Sequence, residues 1–225
     1  MDVTALTSNT RATDVTLACT AAMAHECRAV CVNPCYVASA SAAVHAGPGV
    51  LCASTIGFPF GCDVLSVKVY AAEQAVLSGA EELDLMVNIG ALLSDSEELV
   101  QREIAVVQAT QQVPLTVTVE TSMLSEKQIA LAAVLAKNAG AKWIKAGTGL
   151  AGSATPEQIH MLREAAGEQV QIAAQCTVQS ISELTDLYDA GARRFCIPTP
   201  CALALLRDID RSLGKPSPEL GQDTM

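Results

Sequence analysis

Short runs of β-branched and aliphatic residues alternate with longer segments rich in Ala, Leu and Glu. The short runs read as strands at residues 2–6, 29–32, 49–56, 83–88, 115–120, 143–146, 170–174 and 194–197. Between them, segments at helical spacing predict helices over 67–78, 96–109, 126–139, 156–166 and 180–190. Eight strands separated by helical segments predict an α/β fold: a closed parallel (β/α)8 TIM barrel, built as a single domain over residues 1–213. Punctuation agrees. Gly79, Gly140 and Gly191 each stand between a helical segment and a strand, where glycine takes the left-handed C′ conformation without a Cβ clash. Thr155-Pro156-Glu157 reads as an N-cap followed by proline in the first helical turn. The Pro-, Gly- and polar-rich stretch 214–225 is expected to be a disordered tail.

Composition narrows the picture. Half of the 225 residues are hydrophobic but only 3% are aromatic, so Ala, Val, Leu and Ile must fill the core. That favours helices packed on a parallel sheet over an aromatic-rich sandwich. A formal charge of −10 argues against nucleic acid and anionic lipid as partners. No run of about 18 apolar residues predicts a membrane span. The start, Met1-Asp2-Val3-Thr4, lacks the basic and apolar regions of a signal peptide, so a cytoplasmic location is expected. Nine cysteines, an odd number, argue against a secreted disulfide framework and read as reduced core or barrel-lining residues. Cys31 and Cys35 form a C-x3-C pair, but no second pair or histidine cluster stands at zinc spacing, and no metal or cofactor is expected.

Candidate chemistry centres on one lysine. Of six, Lys68, Lys127, Lys137, Lys142 and Lys215 read as helix surface, loop or tail. Lys145 falls near the C-terminal end of a buried-looking strand, the end at which barrel active sites are built. Desolvation there is expected to lower its pKa and leave neutral amine to attack a carbonyl. The competing reading is a lysine that snorkels to the rim. Asp84 interrupts the apolar run Leu83-Asp84-Leu85-Met86-Val87, and alternation sends it to the face opposite Leu83 and Leu85. It fits either a structural ion pair with Lys145 or a proton shuttle around a carbinolamine. Glu120, ending its strand, faces the same choice. Cys31 is expected to be a free thiol near the barrel mouth. Gly57–Gly61 is either a tight βα loop or part of a site, and Gly147-Thr148-Gly149 has the backbone pattern to cradle an anion.

Taken together, several segments resemble deoxyribose-phosphate aldolases across nearly the whole chain. They are Asp2-x-Thr4-x-Leu6, Val30-Cys31-Val32-Asn33-Pro34-Cys35-Tyr36-Val37, Thr55-Ile56-Gly57-Phe58-Pro59-x-Gly61, Val67-Lys68-Val69, Glu82-Leu83-Asp84, Asn88-Ile89-Gly90-Ala91-Leu92, Glu120-Thr121 and Ile144-Lys145-x-x-Thr148-Gly149. The resemblance implies a metal-independent class I aldolase. Lys145 would form an imine with acetaldehyde and Asp84 would take part in proton transfer. Asp2, Thr4, Cys31, Glu120, Thr148 and Gly149 would contact the substrate, a small aldehyde or sugar. The family's N-terminal helical segment is expected to be largely absent. Related barrels often form dimers, and a homodimer is the candidate assembly.

Departures from the family pattern cluster in one place. A family segment of the type Lys-Ala-Ser-Gly-Gly-Val-Arg reads here Ala173-Ala174-Gln175-Cys176-Thr177-Val178-Gln179. The second active-site lysine is thus Ala173, two glycines are Cys176 and Thr177, and an arginine is Gln179. The phosphate loop after the eighth strand reads Cys196-Ile197-Pro198-Thr199, and a lysine frequent after Thr148-Gly149 is Leu150. These changes remove cations, close-approach glycines and one N–H donor. They predict a phosphate subsite that is lost or rebuilt. Three functions follow: a lyase acting on an unphosphorylated aldehyde, an imine-forming enzyme catalysing a different condensation in a specialised pathway, or a barrel that binds without turnover.

Overall fold

A computed structural model describes residues 1–47, 49–178 and 180–215. The readings of Gln179 and of the tail from residue 216 lie outside the described residues. Eight parallel strands, β1 (Asp2–Ala5), β2 (Ala29–Val32), β3 (Leu51–Ile56), β4 (Glu82–Met86), β5 (Leu115–Val119), β6 (Trp143–Ala146), β7 (Gln171–Gln175) and β8 (Ala192–Pro198), close into one barrel in sequence order. Outside it run α1 (Ala12–Ala24), α2 (Val37–Val44), α3 (Leu65–Leu77), α4 (Ile89–Leu93), α5 (Glu97–Thr110), α6 (Glu126–Asn138), α7 (Pro156–Ala166), α8 (Ile181–Asp189) and α9 (Thr199–Ser212). Each predicted strand is present, its ends within two residues of the expected ones. The pattern left α1, α2, α4 and α9 unassigned: α1 and α2 are Ala-, Ser- and Thr-rich with no clean apolar stripe, α4 is a single short turn, and α9 is amphipathic but follows directly on β8 behind Pro198 and Pro200.

Period-two alternation divides each strand between two environments. In β5, Leu115, Val117 and Val119 join the apolar layer under the helices, while Thr116 and Thr118 bond to groups on β4. In β4, Leu83 and Leu85 face that outer layer, and Glu82 and Asp84 face inward. The main hydrophobic core therefore lies between sheet and helices, and the barrel interior is unusually polar. The sharp turns use the expected devices. Thr155 and Gln158 cap α7 reciprocally, with Pro156 in the first turn. Gly79, Gly140 and Gly191 all have positive φ.

Two buried ion clusters brace the barrel. At the N-terminal ends of the strands, Asp2 accepts two bonds of 3.0 Å from Arg28 and is also held by Arg194. Glu82 joins both arginines, and Thr116 donates to it at 2.9 Å. Burial alone would raise the Asp2 pKa, but the two guanidiniums outweigh it and hold the carboxyl below its ordinary 3.8. Outside the sheet, Lys68 on α3 pairs with Glu103 on α5 at 2.8 Å and donates to the Met86 carbonyl. Lys68 is 1% exposed, so the surface role expected for it is corrected. The packing of α3 on α5 buries it, and a carboxylate 35 residues away makes that burial tolerable.

Candidate active site

Lys145, the third residue of β6, points into the barrel and is 1% exposed. Its Nζ donates to Asp84 Oδ2, and Thr118 Oγ1 donates to Asp84 Oδ1. The inward direction follows from the strand itself, since Ile144 on the opposite face packs into the outer core. The rim-snorkelling alternative is thereby excluded. The strand register sets Thr118 on one side of Lys145 and Ala173 on the other. Ala173, fully buried, is where the family pattern carries its second lysine, so the neighbour of Lys145 on β7 is a methyl group.

The expected direction of the Lys145 pKa is also corrected. Burial is the largest single effect and pulls it down, but the touching Asp84 carboxylate together with Cys196 and Cys31 outweighs it, and the ammonium is held above its ordinary 10.5. Cys31 and Cys196 lie close enough to sense the pair. Burial pushes the Cys196 thiol up to about 11 and that of Cys31 well above 9.0, so both are neutral near pH 7. Asp84 thus supplies the charge that balances Lys145. Cys31 is free and buried, as expected, and so are most of the nine cysteines; none is disulfide-bonded.

Above the pair, Glu120 fixes the loop after β6. Its Oε2 accepts from the Thr148 N–H at 3.0 Å and from the Thr148 hydroxyl, and its Oε1 accepts from Ser122 at 2.7 Å. Two cavities open here. One of about 180 Å³ is bounded by Phe60, Met86, Glu120 and Met123. The other, about 770 Å³, is bounded by Thr4, Leu6, Arg11, Phe58, Gln175 and Pro198 among others. Thr148 and Leu150 line both, so Leu150 stands at their boundary. Of the residues predicted to bind substrate, Thr4, Thr148 and Gly149 line the larger cavity and Glu120 the smaller. Cys31 lies near Lys145 and Asp84 inside the barrel. Asp2 is not brought to the mouth: its carboxylate belongs to the ion cluster at the opposite end.

The anion cradle expected at Gly147–Gly149 is largely closed. The Gly147 N–H donates to Val119, that of Thr148 to Glu120, and that of Leu150 to the Thr148 hydroxyl. On the facing loop, the Cys176 N–H donates to Cys196 and that of Thr177 to Ser153 at 2.9 Å. The first turn of α9 also lines the large cavity, but Pro198 and Pro200 bring no N–H to it. Among the described residues, Arg11 is the only cation lining that cavity, and its guanidinium is engaged at 3.1 and 3.2 Å by Asp14.

Three of these residues escaped the sequence reading. Thr118 is an ordinary strand residue until its register with Lys145 is known. Cys196 was one cysteine among nine. Gln175 lies one residue past the predicted end of β7.

A closed barrel with an interior lysine–carboxylate pair is the architecture of the aldolases, and comparison bears that class out. Residues 1–176 match the family model described as DeoC/LacD family aldolase, and the chain belongs to that family, a family of lyases. It is 38% identical over 197 residues to a deoxyribose-phosphate aldolase of Halalkalibacterium halodurans, covering 86% of this chain and 88% of that protein. A deoxyribose-phosphate aldolase of an Exiguobacterium species is 36% identical over 196 residues, covering 86% and 89%. Among solved structures, the aldolase QR15 superposes with a TM-score of 0.87 at 28% identity, covering 95% of this chain and 96% of that one. The tetrameric deoxyribose phosphate aldolase of Aeropyrum pernix gives 0.83 at 26% identity, covering 94% and 89%. Among the described residues, no helix is long and apolar enough to cross a membrane.

Proposed function

We propose that the chain is a class I aldolase that makes or breaks a carbon–carbon bond through an imine on Lys145, on an unphosphorylated aldehyde or sugar. The observation that carries this reading is the contact between a fully desolvated Lys145 and a carboxylate that Thr118 holds in place. Asp84 accepts the proton that Lys145 must lose before its amine attacks the carbonyl carbon. It then returns a proton to the carbinolamine oxygen as water departs. The iminium so formed withdraws electrons from the neighbouring carbon. Asp84, ionised again, takes a proton from that carbon to give the enamine and returns it to the aldehyde oxygen as the enamine adds, and water finally hydrolyses the iminium, releasing the product and freeing Lys145.

Support for an unphosphorylated substrate comes from the mouth. A phosphate carries close to two negative charges and needs converging N–H groups and cations. Five N–H groups of the two loops already donate within the protein, and the lining cation is paired with Asp14.

Borohydride reduction in the presence of acetaldehyde tests the imine. The expected result is one label of two added carbons on Lys145, located by mass mapping. Lys68 is an internal control: it is equally buried but occupied by Glu103. Equal labelling of Lys145→Ala and the unaltered protein would overturn the mechanism.

A further inference from the structure

The side chain of Gln175 is left with an unmet need. Its last-strand position on β7 turns it into the barrel mouth, where it lines the 770 Å³ cavity at 2% exposure. Its amide oxygen Oε1 is buried and has no hydrogen-bond partner among the described residues. A buried acceptor without a donor is destabilising, and such groups in native proteins usually mark a site where something else completes them. The rest of the side chain is held firmly. A Cβ on Gly149, which has φ +82°, would meet Gln175 Cγ at 3.1 Å and Nε2 at 3.4 Å, so only glycine lets the loop close down on the amide. Ala173 is the register partner of Lys145, and Gln175 stands two residues further along the same face. That step is about 6.6 Å along the strand, the reach of a short sugar chain attached to the lysine.

We propose that Gln175 is a specificity-determining residue whose carboxamide binds a hydroxyl of an uncharged polyhydroxy aldehyde held on Lys145. This rests on the imine reading for where the substrate is anchored, but the hydroxyl site is a claim of its own. Rotation of the amide about its last bond presents either oxygen or nitrogen to the cavity. A hydroxyl both donates and accepts, so it satisfies either presentation. A phosphate oxygen only accepts, so it can meet the amide nitrogen but leaves the buried carboxamide oxygen without a donor, and the neutral amide brings no charge to offset its own. The neutral amide therefore selects for hydroxyl over anion at the point where the backbone donors are already committed.

Gln175→Met keeps the length of the side chain and its packing on Gly149 while removing both hydrogen-bonding atoms. The quantity to read is the ratio of kcat/KM for cleavage of 2-deoxyribose to that for self-condensation of acetaldehyde, whose acceptor carries no chain hydroxyl. The ratio is expected to fall about tenfold, the loss of one well-made neutral hydrogen bond. An unchanged ratio overturns the proposal. A binding measurement separates its failure from that of the imine. The Gln175 side-chain NH2 signals in a ¹⁵N-labelled protein, assigned by their loss in Gln175→Met, are expected to shift on titration with 2-deoxyribose, in the Lys145→Ala background as well. Signals that stay in place at saturating sugar overturn the hydroxyl site. Absence of borohydride labelling in the unaltered protein overturns the imine alone.

Discussion

At Lys145 burial is opposed by the neighbouring acidic groups, Asp84 first among them, and together the neighbours win. Desolvation acts on the whole side chain, whereas the Asp84 charge acts at contact distance, where attraction in a poorly screened interior is strong. The resting amine is consequently protonated, and labelling by aldehyde and borohydride should become faster as the pH rises above neutral. Removing the carboxylate takes away the strongest effect opposing burial. Asp84→Asn is therefore expected to move the pH midpoint of labelling downward, while turnover falls by about 10²- to 10⁴-fold because the proton acceptor is gone. A midpoint that stays in place would mean that Asp84 does not set the charge on Lys145. Both residues were legible in the sequence for one reason: an ionisable group inside a short apolar strand has few bland explanations. The sign of the pKa shift was not legible, since it depends on how closely two residues 61 positions apart approach. Asp2 misled for the same reason. Its place in a matching motif says nothing about which end of the barrel its carboxylate serves, and Arg28 and Arg194 decide that.

Among the elements, the loops after β6, β7 and β8 carry the substrate preference proposed above. Each departs from the family pattern: Leu150 follows Thr148-Gly149, Thr177 is tied to Ser153, and Pro198 stands at the head of α9. One charge-assisted hydrogen bond contributes roughly 1.5–3 kcal/mol. Losing two or more should lower kcat/KM for 2-deoxyribose 5-phosphate, relative to relatives that keep the family loops, by at least about a hundredfold. The phosphorylated and unphosphorylated sugars are then expected to react comparably. Ala173→Lys combined with Cys176→Gly and Thr177→Gly should restore a preference for the phosphate. Strong phosphate preference in the unaltered protein would overturn this reading and mean that another set of donors serves the site. The strands were readable because alternation is a local signal. The missed helices α1 and α2 hold their places by packing small residues in the assembled layer, a property no window of sequence displays, whereas α9 carries a local apolar face that the sequence reading passed over.

For the molecule as a whole, the interior charges at the N-terminal end carry stability rather than chemistry, as that face of such barrels does. The Asp2 pKa is lowered on folding, so its contribution is fully present above about pH 3.8 and is lost as the pH falls through the folded value. Asp2→Asn leaves the buried Arg194 and the partly exposed Arg28 short of a carboxylate and is expected to destabilise the protein by about 3 kcal/mol near pH 7. In denaturant titrations the gap between variant and unaltered protein should close below about pH 4. A constant gap across that range would assign the loss to packing instead.

The same cluster makes the order of synthesis matter. Arg194, which closes the seam between β1 and β8, leaves the ribosome 192 positions after Asp2. At about 5–20 residues per second, β1 waits roughly 10–40 s for its last neighbour. During that interval its edge is open, Asp2 has only Arg28 to answer it, and no partial barrel can be complete. Refolding from denaturant escapes this delay, because both ends of the chain are present from the start. The nascent chain is therefore at greatest risk of pairing with a neighbour's strand late in translation, when seven strands are made and the eighth is still emerging.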